Sequence, residues 1–104
     1  MGLIVALCAT PAHAACFKHV FVFDAYWCGF CKQTKNFLHR HGIPFEAVEI
    51  TNNHHFQSLL TTNFGSAAVP VTIIDGRWNG TQLTSGTVIV GFQEAALRSA
   101  LCIP

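Results

Sequence analysis

Tyr26-Trp27-Cys28-Gly29-Phe30-Cys31-Lys32 is the stretch that decides the fold. It follows an apolar run, His19-Val20-Phe21-Val22-Phe23-Asp24, whose β-branched and aromatic residues read as a buried central strand. It opens a segment, Cys28 to His41, in which Phe30, Thr34, Phe37, Leu38 and His41 recur at helical spacing on one stripe. Two thiols three positions apart at the start of a helix can open and close a disulfide with little backbone movement. Cys28 lies at the positive end of the helix dipole, beside N–H groups that the helix itself leaves unsatisfied. That setting favours the thiolate, and thiols of such pairs have pKa values of about 3.5 to 7.5. Lys32 and Lys35, in the first turns, push the same way by stabilising the anion.

Two cysteines at this spacing are also half of a zinc site, and the chain has six histidines. His39 and His41 lie two apart on a helix and point to different faces, so they supply no second ligand pair. With His54 and His55 they are expected on solvated faces. A metal or iron–sulfur site through Cys28 and Cys31 is the competing reading, and no metal is expected.

Downstream of the helix, Gly42 supplies a cap and Pro44 forbids continuation. Pro44-Phe45-Glu46-Ala47-Val48-Glu49-Ile50 alternates apolar with polar and reads as a strand. Asn52 or Asn53 can cap a helix that turns Phe56, Leu59, Leu60 and Phe64 inward and ends at Gly65-Ser66. Val69-Pro70 leads into the strand Val71-Thr72-Ile73-Ile74-Asp75. Asp75-Gly76 and Asn79-Gly80 are both hairpin signals; the turn is expected near Asn79-Gly80, with Thr87-Val88-Ile89-Val90 returning. A last helix, Phe92 to Leu101, buries Phe92, Ala96, Leu97, Ala100 and Leu101. The order β-α-β-α-β-β-α gives an α/β fold: a mixed four-stranded sheet with helices on both faces, its first two strands parallel and its last two antiparallel.

With 104 residues, 51% hydrophobic and 11% charged, the chain has the core of one ordered domain. The net charge is +1, and the few basic residues form no patch that would call for nucleic acid or an anionic membrane surface. Leu3-Ile4-Val5-Ala6-Leu7-Cys8-Ala9 is an apolar run too short to span a bilayer, followed by an Ala12-His13-Ala14 cleavage pattern. Residues 1–14 are expected to be a signal peptide and 15–104 the domain. No basic residue precedes the run, which points to a start upstream of Met1. Cleavage after Ala14 removes Cys8 and leaves Cys16, Cys28, Cys31 and Cys102 in an oxidising compartment, periplasmic or secreted; without a signal the protein is cytoplasmic.

From Phe17 to Leu101 the chain resembles the glutaredoxin branch of the thioredoxin superfamily. The carrying residues are Tyr26-Trp27-Cys28-Gly29-Phe30-Cys31-Lys32, Phe37-Leu38 with Gly42-Ile43-Pro44-Phe45, Ala68-Val69-Pro70, and Gly91-Phe92 at the final helix. The resemblance implies a thiol–disulfide oxidoreductase in which Cys28 attacks and Cys31 resolves. It implies that Pro70 is a cis proline facing the active site, with the Val69 backbone pairing to a substrate strand. Trp27 and Lys32 tune the attacking thiol, and Tyr26, Phe30, Val69, Pro70 and Gly91 meet substrate, with Trp27 and Phe30 as an apolar collar. Glutaredoxins usually carry Lys where Ala25 stands, and a Gly-Gly with a polar–acidic pair where this chain has Val90-Gly91-Phe92-Gln93. Those departures weaken glutathione binding. No cofactor is required, and the partners are a protein or small-thiol disulfide and a reductant, either glutathione or a reductase. The chain is expected to be a monomer. Asp24 is a possible proton acceptor for Cys31, though a solvated strand-end carboxylate is the simpler expectation. Because the last helix runs away from the active-site end, Cys102 falls near Cys16, and a structural Cys16–Cys102 disulfide is expected.

Overall fold

The computed structural model describes residues 16–104, so the signal expected at 1–14 lies outside the described residues. The elements are β1 (Val20–Asp24), α1 (Gly29–Arg40), β2 (Glu46–Glu49), α2 (His54–Phe64), β3 (Val71–Asn79), β4 (Gln82–Val90) and α3 (Glu94–Ala100). They form a four-stranded sheet in the order β2-β1-β3-β4, with β1 parallel to β2 and antiparallel to β3, and β3 antiparallel to β4. This is the mixed sheet of a thioredoxin-like fold.

Alternation along β1 divides the core in two. Val20 and Val22 face α1 and α3, where they pack with Phe17, Phe37, Leu38, Ile74, Ile89, Leu97 and Leu101. Phe23 faces α2 and packs with Ile50, Leu60, Val71 and Ile73. Asp24 continues the Val20 and Val22 face, and therefore points beneath α1.

Helix α1 stops where its sequence dictates. The Gly42 N–H donates to the His39 carbonyl at 3.1 Å and the Ile43 N–H to the Leu38 carbonyl at 2.9 Å, a Schellman closure. It needs the left-handed backbone of Gly42, at φ 66°. Asn53, not Asn52, caps α2 by accepting the Phe56 N–H at 3.2 Å.

Several boundaries differ from expectation. The hairpin turns at Gly80-Thr81, but the returning strand begins at Gln82 rather than Thr87, and β3 runs through Asp75-Gly76. The register shifts between Ile74 and Trp78 absorb that crossing, as a bulge does. Gly86 is needed there, since a Cβ on it would lie 2.8 Å from the Gly76 Cα. Asn63 fastens α2 to the hairpin tip, donating to the Thr81 carbonyl at 2.8 Å and accepting the Leu83 N–H at 2.7 Å. The final helix begins at Glu94, not Phe92, with Gln93 as its cap residue. Phe92 instead packs edge-on against Phe37 ahead of the helix. Among the histidines, His41 is half-buried with its ring 4.5 Å from that of Phe37, contrary to a purely solvated face.

Cys16 and Cys102 are joined by a disulfide with a Cα–Cα distance of 6.2 Å. It ties the segment before β1 to the end of α3. Asp75 anchors the same segment by accepting the Lys18 and His19 N–H groups at 2.7 and 2.8 Å. Those two donors, His19 first, hold its carboxyl below the usual carboxylate range. No helix among the described residues is long and apolar enough to cross a membrane.

Candidate active site

The parallel pairing of β1 with β2 sends the chain out of the sheet at Asp24 and back through α1. The turn is closed by the Cys28 N–H, which donates to the Ala25 carbonyl at 3.0 Å. Ala25 is buried, while Tyr26 and Trp27 at the turn are 69% and 65% exposed. Cys28 is the N-cap of α1, and its Sγ accepts the Cys31 N–H at 3.1 Å. A sulfur in this position accepts from a helix N–H as a capping oxygen does, and the same donor favours negative charge on it.

Cys28 and Cys31 are joined by a disulfide, with Cα atoms 5.2 Å apart. Cys28 is 6% exposed and Cys31 fully buried, so the outer sulfur is the one a substrate can approach. Ala25, both cysteines and Val69 form one apolar cluster. The Cys28 Sγ lies 3.7 Å from the Val69 carbonyl oxygen, within reach of a thiol donor once the pair is reduced. The Val69–Pro70 bond is cis, and Pro70 is buried. The Pro70 carbonyl accepts the Gly91 N–H at 2.8 Å, which brings the end of β4 beside the start of β3. The geometry thus gathers Tyr26, Trp27, Cys28, Phe30, Cys31, Val69, Pro70 and Gly91 at one end of the molecule.

Three expectations change. Phe30 does not belong to the buried stripe of α1: it is 62% exposed, and Cys31 takes its place with Thr34, Phe37 and Leu38. Cys28 as cap fixes the helical phase, which sets Cys31 toward the sheet and Phe30 outward. Asp24 is not solvated; it is 3% exposed and hydrogen-bonded to Lys35 Nζ. Lys35 is therefore committed to Asp24 and is not a free charge for the thiolate. Lys32 is exposed and makes no ion pair among the described residues.

Glu49, which pairs with Asp24 across the parallel strands, borders the same turn. Its carboxyl is held below the usual range, first by the nearby Thr51 hydroxyl, which lies close without a well-formed hydrogen bond, then by the Thr51 and Tyr26 N–H groups and by Lys35. The Thr51 N–H donates to it at 2.9 Å. Nothing in the sequence pattern marked Glu49, because a strand-end glutamate usually faces water. Among the described residues no three His, Cys, Asp or Glu side chains are gathered as a metal ion would require.

The glutaredoxin family model matches residues 20–78, more than half of the chain. The chain is 28% identical over 82 residues to N-acetyl-S-hydroxy-L-cysteine reductase of Bacillus subtilis strain 168, a match covering 79% of this chain and 84% of that one. Among solved structures, the glutaredoxin of Archaeoglobus fulgidus superposes with a TM-score of 0.61 at 22% identity, covering 91% of this chain and 97% of the other, a likeness of fold. Methanosarcina acetivorans methanoredoxin superposes with a TM-score of 0.63 at 25% identity, covering 80% and 83%. With a dithiol pair at the head of α1 and the family model spanning most of the strands that carry it, this chain belongs to the glutaredoxin family and is an oxidoreductase.

Proposed function

We propose that the protein catalyses thiol–disulfide exchange through Cys28 and Cys31 on protein or small-thiol disulfides. The observation that carries this reading is the Cys28 sulfur at the N-cap, accepting the Cys31 N–H at 3.1 Å while Cys31 stays buried behind it. In the reduced protein the Cys28 thiolate attacks one substrate sulfur, forming a mixed disulfide and expelling the other sulfur as a thiolate. Cys31 then loses its proton and attacks the Cys28 sulfur, closing the intramolecular disulfide and releasing the second substrate thiolate. Both expelled thiolates take up protons according to their pKa. The protein supplies the two electrons and is left oxidised, to be reset by glutathione or a reductase.

The remaining residues support this chemistry. The helix end and the exposed Lys32 favour the Cys28 anion, and the exposed Trp27 covers one side of the turn. The Val69 backbone, beside Pro70, pairs with an extended substrate, with Tyr26, Phe30 and Gly91 around it. The named activity of the Bacillus relative, reduction of an S-hydroxy cysteine, fits the same first step with hydroxide as the group displaced from sulfur. We further propose that residues 15–104 form the working domain, exported as a monomer when 1–14 act as a signal.

A chromogenic mixed disulfide tests the assignment. Cys28→Ser should abolish turnover, whereas Cys31→Ser should stall as a mixed disulfide detectable by mass. Turnover that survives in Cys28→Ser would overturn the reading. The reduction potential of the pair then sets direction: near −270 mV, as in thioredoxin, it serves as a reductase, and near about −120 mV it donates disulfides, with isomerases between.

A further inference from the structure

Asp24 and Glu49 are the last residues of β1 and β2 and stand opposite each other in the parallel pairing. Opposed residues of paired strands project to the same face of a sheet, and the preceding pair, Phe23 and Val48, packs on the side of α2. Glu49 therefore projects with Asp24 to the side of α1, the helix that carries Lys35 and both cysteines. The Ile50 N–H donates to the Asp24 carbonyl at 2.9 Å, so the strand ends are still bonded where the chain leaves β1 for the dithiol turn.

That turn is Ala25-Tyr26-Trp27, and its two large side chains do not hold it. Tyr26 and Trp27 are exposed, while Ala25 is buried. Backbone hydrogen bonds hold it instead. From within, the Cys28 N–H closes on the Ala25 carbonyl at 3.0 Å. From outside, the Tyr26 N–H bonds the Glu49 carboxylate, whose Oε2 also accepts the Thr51 N–H at 2.9 Å. One carboxylate thus ties the turn ahead of Cys28 to the loop after β2, and a charged acceptor makes the stronger kind of hydrogen bond. Lys35, bonded to Asp24, also lies near enough for its charge to act on Glu49, so two strand-end carboxylates flank one ammonium.

Resting on the exchange chemistry proposed above, we infer that Glu49 is a positioning residue for the attacking sulfur: by holding the turn at 25–27 through the Tyr26 N–H, its carboxylate keeps Cys28 at the head of α1. The Cys28 sulfur is activated only in that place, where the Cys31 N–H and the helix end favour its anion. A loosened turn lets the cap leave this geometry, and the anion loses part of its stabilisation. As a bare charge Glu49 acts in the opposite sense, since a nearby carboxylate disfavours a thiolate. Glutamine separates the two effects, because it keeps the accepting oxygen and drops the charge.

Alkylation of Cys28 over a pH range, read by mass on its own peptide in a Cys31→Ser background, tests this with Glu49→Ala and Glu49→Gln. Glu49 is exposed, so neither change opens the core. Glu49→Ala should slow alkylation at pH 7 about threefold and move its midpoint to higher pH. Glu49→Gln should recover that loss. With Cys31 intact, kcat/KM on a chromogenic mixed disulfide should fall in Glu49→Ala and recover in Glu49→Gln. A role confined to stability would lower the melting temperature and leave the alkylation profile in place. An unmoved profile in Glu49→Ala, or Glu49→Gln as slow as Glu49→Ala, would overturn the assignment. Alkylation needs no exchange partner, so a wild type that turns over no mixed disulfide would overturn the exchange chemistry, while the profile still decides whether Glu49 holds Cys28.

Discussion

Lys35 on α1 is hydrogen-bonded through Nζ to Oδ2 of Asp24, the last residue of β1. The Asp24 side chain is 5% exposed and that of Lys35 31%, so the pair lies at the edge of the core. It clamps the helix bearing both cysteines to the strand that feeds it. A carboxylate so buried costs several kcal/mol if left alone, and the ammonium offsets that cost.

Lys35→Met should therefore destabilise the oxidised protein by about 2–3 kcal/mol, below the full cost of a wholly buried pair because Lys35 keeps some solvent. Adding Asp24→Asn should restore part of the loss, since the stranded charge is then gone. Urea denaturation of the wild type, both single variants and the double variant measures the coupling. Strictly additive effects would show that the contact contributes nothing.

Acid sensitivity should report Asp75. Its carboxyl is held below the usual range by the His19 and Lys18 N–H groups. A carboxylate with a folded pKa below its unfolded one adds stability that is present above the unfolded pKa and fades as pH falls through the folded one. Stability should thus fall below about pH 4, where an unfolded Asp protonates. Asp75→Asn, which tolerates the left-handed backbone at φ 54°, should cost about 1 kcal/mol at neutral pH and flatten this acid limb. An unchanged acid limb in the variant would remove Asp75 as its source.

The Cys16–Cys102 disulfide closes a loop of sequence separation 86. In the chain-entropy model a loop of that length adds about 4.6 kcal/mol, an upper figure because the reduced chain keeps some order. A reductant should lower the melting temperature of the wild type markedly. It should lower that of Cys16→Ser/Cys102→Ser only by the smaller share due to Cys28–Cys31. Equal shifts in both would mean that the terminal disulfide is not what the reductant acts on.

Lys32 is the free cation nearest in sequence to the pair. Reversing it, in Lys32→Glu, should raise the Cys28 pKa and slow its alkylation at pH 7 about threefold, an effect that added salt should shrink. Alkylation over a pH range in a Cys31→Ser background follows one thiol at a time. Coincident profiles would leave the helix end and the Cys31 N–H as the sole source of activation.

Periodicity carried most of the fold. The run from Val20 to Asp24 is apolar on both faces because helices cover both, and Gly42 with Pro44 ends α1 by local chemistry alone. The hairpin was harder. Gln82–Gly86 is polar enough to read as loop, yet it is a strand because its backbone pairs with Arg77–Asn79 and its side chains can face water. The start of α3 was misplaced for a similar reason: Phe92 has a helix-like spacing to Ala96, but its ring is drawn onto Phe37 and the chain turns helical only at Glu94.

The spacing of Cys28 and Cys31, the strand before them and the helix after them are local properties, and those determined the redox pair and its place at a helix head. Tertiary structure alone decided where charge and apolar surface went. Asp24 is buried because α1 closes over it with Lys35, Phe30 is exposed because the cap at Cys28 fixes the helical phase, and Val90 reaches the dithiol end because β4 returns antiparallel along β3 and pairs Val90 with Val71, the residue after Pro70. Burial and pairing depend on which distant segment arrives alongside, and no window of sequence contains that neighbour.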